Sequence, residues 1–236
     1  MLRLSIILTL ILSSHPMLAV ESFPRIAQYE KILGQFEHKK NTVRLVEVYR
    51  IGEEALKEIV IARGESPGLK RFSSHLKRMS GLRVEEGDQG LSTWIDTKYF
   101  RKLAEHGSVE DRAFFDLLAK IRPDDIRLLF DIPMTDFGGC TSLGSGALSE
   151  VYKALRAYQE KYPQGIYDNE LGALIKTTVD AIGDTCICAD KEDMPISELK
   201  SIIRTFSGSD AEKRAHEILE KLGKKTHKFS FNCRPG

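Results

Sequence analysis

Apolar residues recur three and four positions apart along most of the chain from Phe23 onward. That is the period of amphipathic helices laid on a common core, so the pattern predicts an all-α fold, a multi-helix globular array. Pro24 opens the first helix, with Ile26, Tyr29, Ile32, Leu33 and Phe36 on one stripe, and His38–Asn41 break it. A second helical stretch, Thr42 to Ala62, puts Val43, Leu45, Val46, Val48, Tyr49, Leu56, Ile59 and Val60 mostly on one face and is interrupted at Gly52. Gly64-Glu-Ser-Pro-Gly68 reads as a turn and Leu69–Met79 as a short basic helix. Gly81–Gly90, crowded with glycines and acids, reads as a mobile loop.

The next helix starts near Asp96 and stops at His106-Gly107. Ser108-Val-Glu-Asp111 has the form of a capping box. The Ser108 hydroxyl can accept from a first-turn amide, and the Asp111 carboxylate can reach back to the Ser108 amide. Val109, Phe114, Phe115, Leu117 and Leu118 are expected in the core, and Pro123 begins another helical turn through Phe130. Between Asp131 and Gly146 the period dissolves into a glycine-rich segment. This marks the expected boundary between an N-terminal helical part, residues 21–131, and a C-terminal one, residues 132–236, although one continuous domain also fits.

Beyond the boundary, Leu148, Val151, Tyr152, Leu155 and Tyr158 form a helical face ending at Tyr162-Pro163. Asp168 or Asn169 can cap a helix through Leu171, Leu174, Ile175, Val179 and Ile182. Pro195 and Ser197 begin another, and Ser209 caps a last one at Asp210–Leu222. The tail from Lys228 to Cys233 alternates apolar and polar residues and is expected to be extended.

One apolar run falls outside this helical scheme. Arg3 precedes the stretch Leu4–Leu12, followed by Pro16 and a small-residue exit at Ala19. This is the form of a secretory signal peptide over residues 1–20, cleaved after Ala19 or Val20. The run is shorter than the roughly 20 apolar residues that span a bilayer, so the mature form is expected to have no membrane span and to be secreted or periplasmic. Charge changes the picture little. Lys and Arg total 35 against 34 for Asp and Glu, with no long block of either sign, which argues against a nucleic-acid footprint. The basic group Lys221, Lys224, Lys225, His227 and Lys228 reads as a helix C-terminus favoured by the dipole. Trp94 is expected as a core anchor.

An exported address makes two disulfides the default for Cys140, Cys186, Cys188 and Cys233. A bridge between Cys186 and Cys188 would be strained. Cys188–Cys233 with Cys140–Cys186 is the favoured pairing, and the swapped arrangement stays open. A zinc set of Cys186, Cys188, Cys233 and His227 departs from structural-zinc spacing, so no metal is assigned. A thiol enzyme would use Cys140, which precedes a helix in a glycine-rich turn, with His216 or His227 as base. The segment Gly138–Gly146 has the glycines of a phosphate cradle but lacks the lysine of a Walker loop. Asp184–Asp193 gathers carboxylates without the spacing of a calcium loop. No cofactor is assigned.

The last fifty residues carry a resemblance. Cys188-Ala-Asp-Lys-Glu-Asp-Met-Pro-Ile-Ser-Glu-Leu-Lys-Ser-Ile-Ile-Arg-Thr-Phe206, a second helix at Ala211–Leu222 and the terminal Phe231-Asn-Cys233 resemble the C-terminal half of periplasmic immunity proteins that neutralise type VI secretion amidase effectors. The similarity covers about a fifth of the chain. The resemblance implies a helical, disulfide-closed binder with Cys188 joined to Cys233, which occludes a peptidoglycan-cutting enzyme and performs no chemistry itself. The helices before Phe130 have no counterpart in that family. The expectation is therefore an exported, non-catalytic binding protein with a protein partner, and homo-oligomerisation is compatible with it. The alternatives are an exported hydrolase using Cys140 or a carboxylate pair, and a structural envelope protein.

Overall fold

The protein is described by a computed structural model in which residues 23–38, 43–63, 79–87, 90–121, 143–183, 186–187, 191, 193–226 and 228–231 are placed. The segments expected to form a signal peptide (residues 1–20), a basic helix (Leu69–Met79, apart from Met79 itself) and a helical turn after Pro123, together with Cys140, Cys188, His227 and Cys233, lie outside the described residues. Eight helices carry the described chain: α1 (Pro24–His38), α2 (Leu45–Arg63), α3 (Thr97–Ala104), α4 (Val109–Ile121), α5 (Ala147–Lys161), α6 (Asp168–Ala181), α7 (Asp193–Thr205) and α8 (Asp210–Gly223). The strands are β1 (Leu82–Gly87), β2 (Gly90–Ile95), β3 (Cys186–Ile187) and β4 (Ser230–Phe231). The fold is the mostly helical array expected.

Residues 81–90 are a correction. Instead of a mobile loop they contribute to an antiparallel hairpin, with Leu82 opposite Ile95, Val84 opposite Thr93 and Gly87 opposite Gly90. Two residues join the strands, the length that favours tight hairpin turns. Leu82, Val84 and Ile95 turn inward onto the core. Trp94 pairs with Arg83 on the other face and is half-buried, so it is no core anchor. Gly52 explains how the hairpin sits so close. A Cβ there would come within 3.1–3.3 Å of Tyr29, Ile95 and Leu82, so the missing side chain lets α1 and the hairpin close on an α2 that runs straight through the glycine.

Local signals hold where they were readable. Asp96 caps α3, accepting from the Tyr99 amide at 2.9 Å, and Ser209 caps α8, accepting from the Glu212 amide at 3.2 Å. The capping box at α4 is formed in both directions: the Asp111 amide donates to Ser108 Oγ at 3.0 Å and the Ser108 amide to Asp111 Oδ2 at 2.6 Å. Such a cap contributes about 1 kcal/mol. Three expectations shift. Val109 is 63% exposed because it starts α4 on the solvent side. The cap of α6 is Tyr167, with Asp168 and Glu170 in the first turn where the dipole favours acids. Helix α7 begins at Asp193, so Pro195 lies in its first turn, where no intrahelical amide is lost.

Packing follows chain order. Helix α1 lies on α2, α3 on α4, α4 on α5, α5 on α6, and α7 on α8, with α8 also touching α6. A single apolar cluster draws residues from both sides of residue 131, from Ile26 and Phe114 to Leu171 and Ile218. Its centre is aromatic. Phe114 stacks on Tyr167 at 3.9 Å with planes 8° apart, and Tyr49 meets Phe100, Phe114 and Phe115 edge-on at 5.5–5.8 Å. Parallel pairing of β3 with β4 sets Cys186 opposite Ser230 and Ile187 opposite Phe231, so the tail is extended at Ser230–Phe231, while Asn232 and Cys233 lie outside the described residues.

Candidate functional site

Helix α2 buries the face that carries Leu45, Tyr49, Ala55, Leu56 and Ile59. At 100° per residue, the opposite face carries Arg50, Glu53, Glu54, Lys57, Val60 and Ile61 in one stripe. Facing part of that stripe across an open trough are Asn169, Glu170, Ala173, Leu174 and Thr177 of α6. The trough encloses about 460 Å³, within the range of ordinary binding pockets.

Its floor is fixed by one side chain that reaches from the N-terminal half to the C-terminal half. Arg50 donates through Nε to Glu170 Oε1 at 2.5 Å and through Nη2 to Glu170 Oε2 at 3.0 Å and to the Ile166 carbonyl at 2.8 Å. The hydrogen bonds it donates to Glu170 hold the guanidinium above its ordinary pKa, against a smaller opposing effect of burial. A fork held by carboxylate and carbonyl together is a rigid strut between α2 and α6. The rest of the charge in the trough is mostly committed as well, since Glu54 pairs with Arg25 at 3.1 Å. Lys57, by contrast, is exposed and makes no ion pair or hydrogen bond among the described residues.

The end of the stripe is apolar. Among the described residues only Val60, Ile61 and Val109 are exposed large hydrophobic side chains, at 50%, 69% and 63%. Val60 and Ile61 follow one turn after Lys57, on the trough side of α2.

The buried carboxylates are committed to structure. Asp111, 5% exposed, accepts from the Ser108 amide and from the Tyr167 hydroxyl at 2.5 Å. Burial, reinforced by the Asp111 charge and hydrogen bond, pushes the Tyr167 hydroxyl far above the usual phenol range, so it stays a neutral donor. Glu198, 7% exposed on α7, reaches the N-terminus of α5. It accepts from the amides of Gly144, Gly146 at 3.1 Å and Ser149 at 3.2 Å, and from Ser149 Oγ at 2.9 Å. The described part of the candidate phosphate cradle thus already holds an anion, supplied by the chain itself. Gly144, with φ of +105°, presses against the backbone of Pro195, and a Cβ there would lie 3.0 Å from the Pro195 nitrogen.

Of the residues proposed for catalysis, His216 is placed on the exposed face of α8, its Nε2 3.8 Å from Glu212. Cys140 and His227 are outside the described residues, and Cys186 is placed only by its backbone in β3. No group of three or more His, Cys, Asp or Glu side chains is positioned to hold a metal among the described residues, and none of their helices is long and apolar enough to cross a membrane. Sequence reading missed the trough altogether. Val60, expected on the apolar face of this helix, is instead 50% exposed, Lys57 and Ile61 carry no local signal, and only the tertiary position of α6 turns that face into a wall. Comparison with protein-family models, curated proteins and solved structures finds no match to the chain.

Proposed function

We propose that the protein is an exported, non-catalytic binding protein of the inhibitor or immunity type, which occludes a partner enzyme by docking it on the α2–α6 trough. The observation that carries this reading is the pairing of an open, strut-braced trough with two exposed apolar side chains, Val60 and Ile61, at its end. Apolar anchors beside a polar rim are what a protein interface needs, and Val60 and Ile61 are neighbours on one face rather than isolated. The structural commitment of Asp111 and Glu198 also supports a binder, because acid–base catalysis needs a carboxylate within reach of substrate.

The reading is tested with a photo-crosslinking amino acid placed at position 61 and, as control, at exposed position 213 on α8, in cells that export the protein. One dominant adduct from position 61, an exported enzyme that has lost activity in the complex, is the expected result. Equal adducts from both positions, or catalytic turnover by the protein itself, would overturn it.

The same reading includes a bridge between Cys188 and Cys233. Non-reducing peptide mapping should return the Cys188 and Cys233 peptides joined; a pair linked instead through Cys186 and Cys233 would refute this assignment.

A further inference from the structure

We infer that the occupant of the trough is an amphipathic α-helix of the partner, carrying an acidic side chain about one turn from its apolar stripe. This rests on the binding role proposed above and specifies what fills the site.

The walls select the occupant. An extended peptide binds by adding main-chain hydrogen bonds to an unpaired sheet edge, and both walls here are helices with their backbone groups turned inward on themselves. A polyproline segment docks on exposed aromatic faces, and the one aromatic lining residue, Tyr49, is only 4% exposed. A small anion would look for Arg50, whose fork is already filled by Glu170 and the Ile166 carbonyl. A helix needs none of these features.

The dimensions agree with a helix. From Tyr49 to Lys57 the α2 wall runs about 12 Å, and from Asn169 to Thr177 the α6 wall runs about 12 Å, so a partner helix would be gripped over about two turns, with Val60 and Ile61 one turn further along α2. The α6 wall presents Ala173 at its middle, with Gly172 beside it, both exposed, and small residues let a third helix axis approach closely. Charge fixes the rest. Arg50 is paired with Glu170, Glu54 with Arg25, and Glu53 is engaged as well, which leaves the Lys57 ammonium as the uncommitted charge of the lining among the described residues, one turn from Val60 and Ile61. A partner carboxylate at the level of Lys57 would be followed by apolar side chains reaching Val60 and Ile61.

The probe is a phage library that displays helices on a fixed helical-hairpin scaffold, with an apolar i, i+3, i+4, i+7 stripe and all other outward positions random, panned against the oxidised mature protein. Selected helices should be enriched in Asp or Glu beside the stripe. They should lose about tenfold or more in affinity toward Lys57→Glu, and also toward Ala173→Trp, which fills the trough from an exposed position and leaves the core untouched. No selected helix, selection without acidic enrichment, or equal binding to Ala173→Trp would each overturn the inference. Crosslinking of an enzyme at position 61 alongside any of those results would leave the binding role standing and remove only the helix as occupant.

Discussion

Replacing Tyr167 by alanine is expected to lower the stability of the protein by about 4 kcal/mol, the cost of deleting a large aromatic side chain from a packed core. Tyr167 is fully buried, stacks on Phe114 at 3.9 Å and meets Phe115 edge-on at 5.8 Å. It enters from the start of α6, whereas both phenylalanines belong to α4, so the cavity opens at the junction of the two halves of the chain. Tyr167→Phe separates the two roles of the side chain. It keeps the stack and removes the hydroxyl that donates to Asp111, leaving a buried carboxylate one partner short, and should cost about 2 kcal/mol. Urea unfolding of the three proteins measures both effects. A loss of less than about 1 kcal/mol for the alanine variant would mean that the aromatic junction does not hold the halves together.

Glu198→Ala is expected to cost about 3 kcal/mol, although it deletes no large apolar group. The carboxylate receives three backbone amides and one hydroxyl at the N-terminus of α5, and no described side chain replaces it there. Buried donors left without an acceptor cost roughly 1–3 kcal/mol each when nothing relaxes, and water admitted to the site will recover part of that. Ser149→Ala, which removes only one of the four donors, should cost about 1 kcal/mol. Near-equal effects of the two substitutions in chemical denaturation would show that α5 is not capped from α7.

How far these features were readable depends on how local their causes are. The stripes of α1, α4 and α5 lie in the spacing of a few residues, and so do the caps at Ser108 and Ser209, because each partner is within one turn of the other. The hairpin had a readable signal that glycine content masked. Leu82 and Val84 alternate with Arg83 and Glu85, and only two residues separate Gly87 from Gly90. Glu198 could not be read in the same way. It lies on an unremarkable helix, and its partners are 49 to 54 residues away, so only tertiary packing makes it a cap. The Arg50–Glu170 strut spans 120 positions and escapes any local pattern for the same reason. The trough inherits that opacity, because one wall comes from each half of the chain.

The proposed binding role is tested most directly by titrating the crosslinked partner, once purified, with the wild-type protein and with a Val60→Asp, Ile61→Asp variant, and following the partner's catalytic rate. Both substitutions fall on exposed positions, so the variant should keep the wild-type unfolding midpoint. Stoichiometric loss of partner activity with the wild-type protein and at least about tenfold weaker inhibition with the variant are expected. Equal inhibition by both proteins, or full partner activity at saturating wild-type protein, would contradict it.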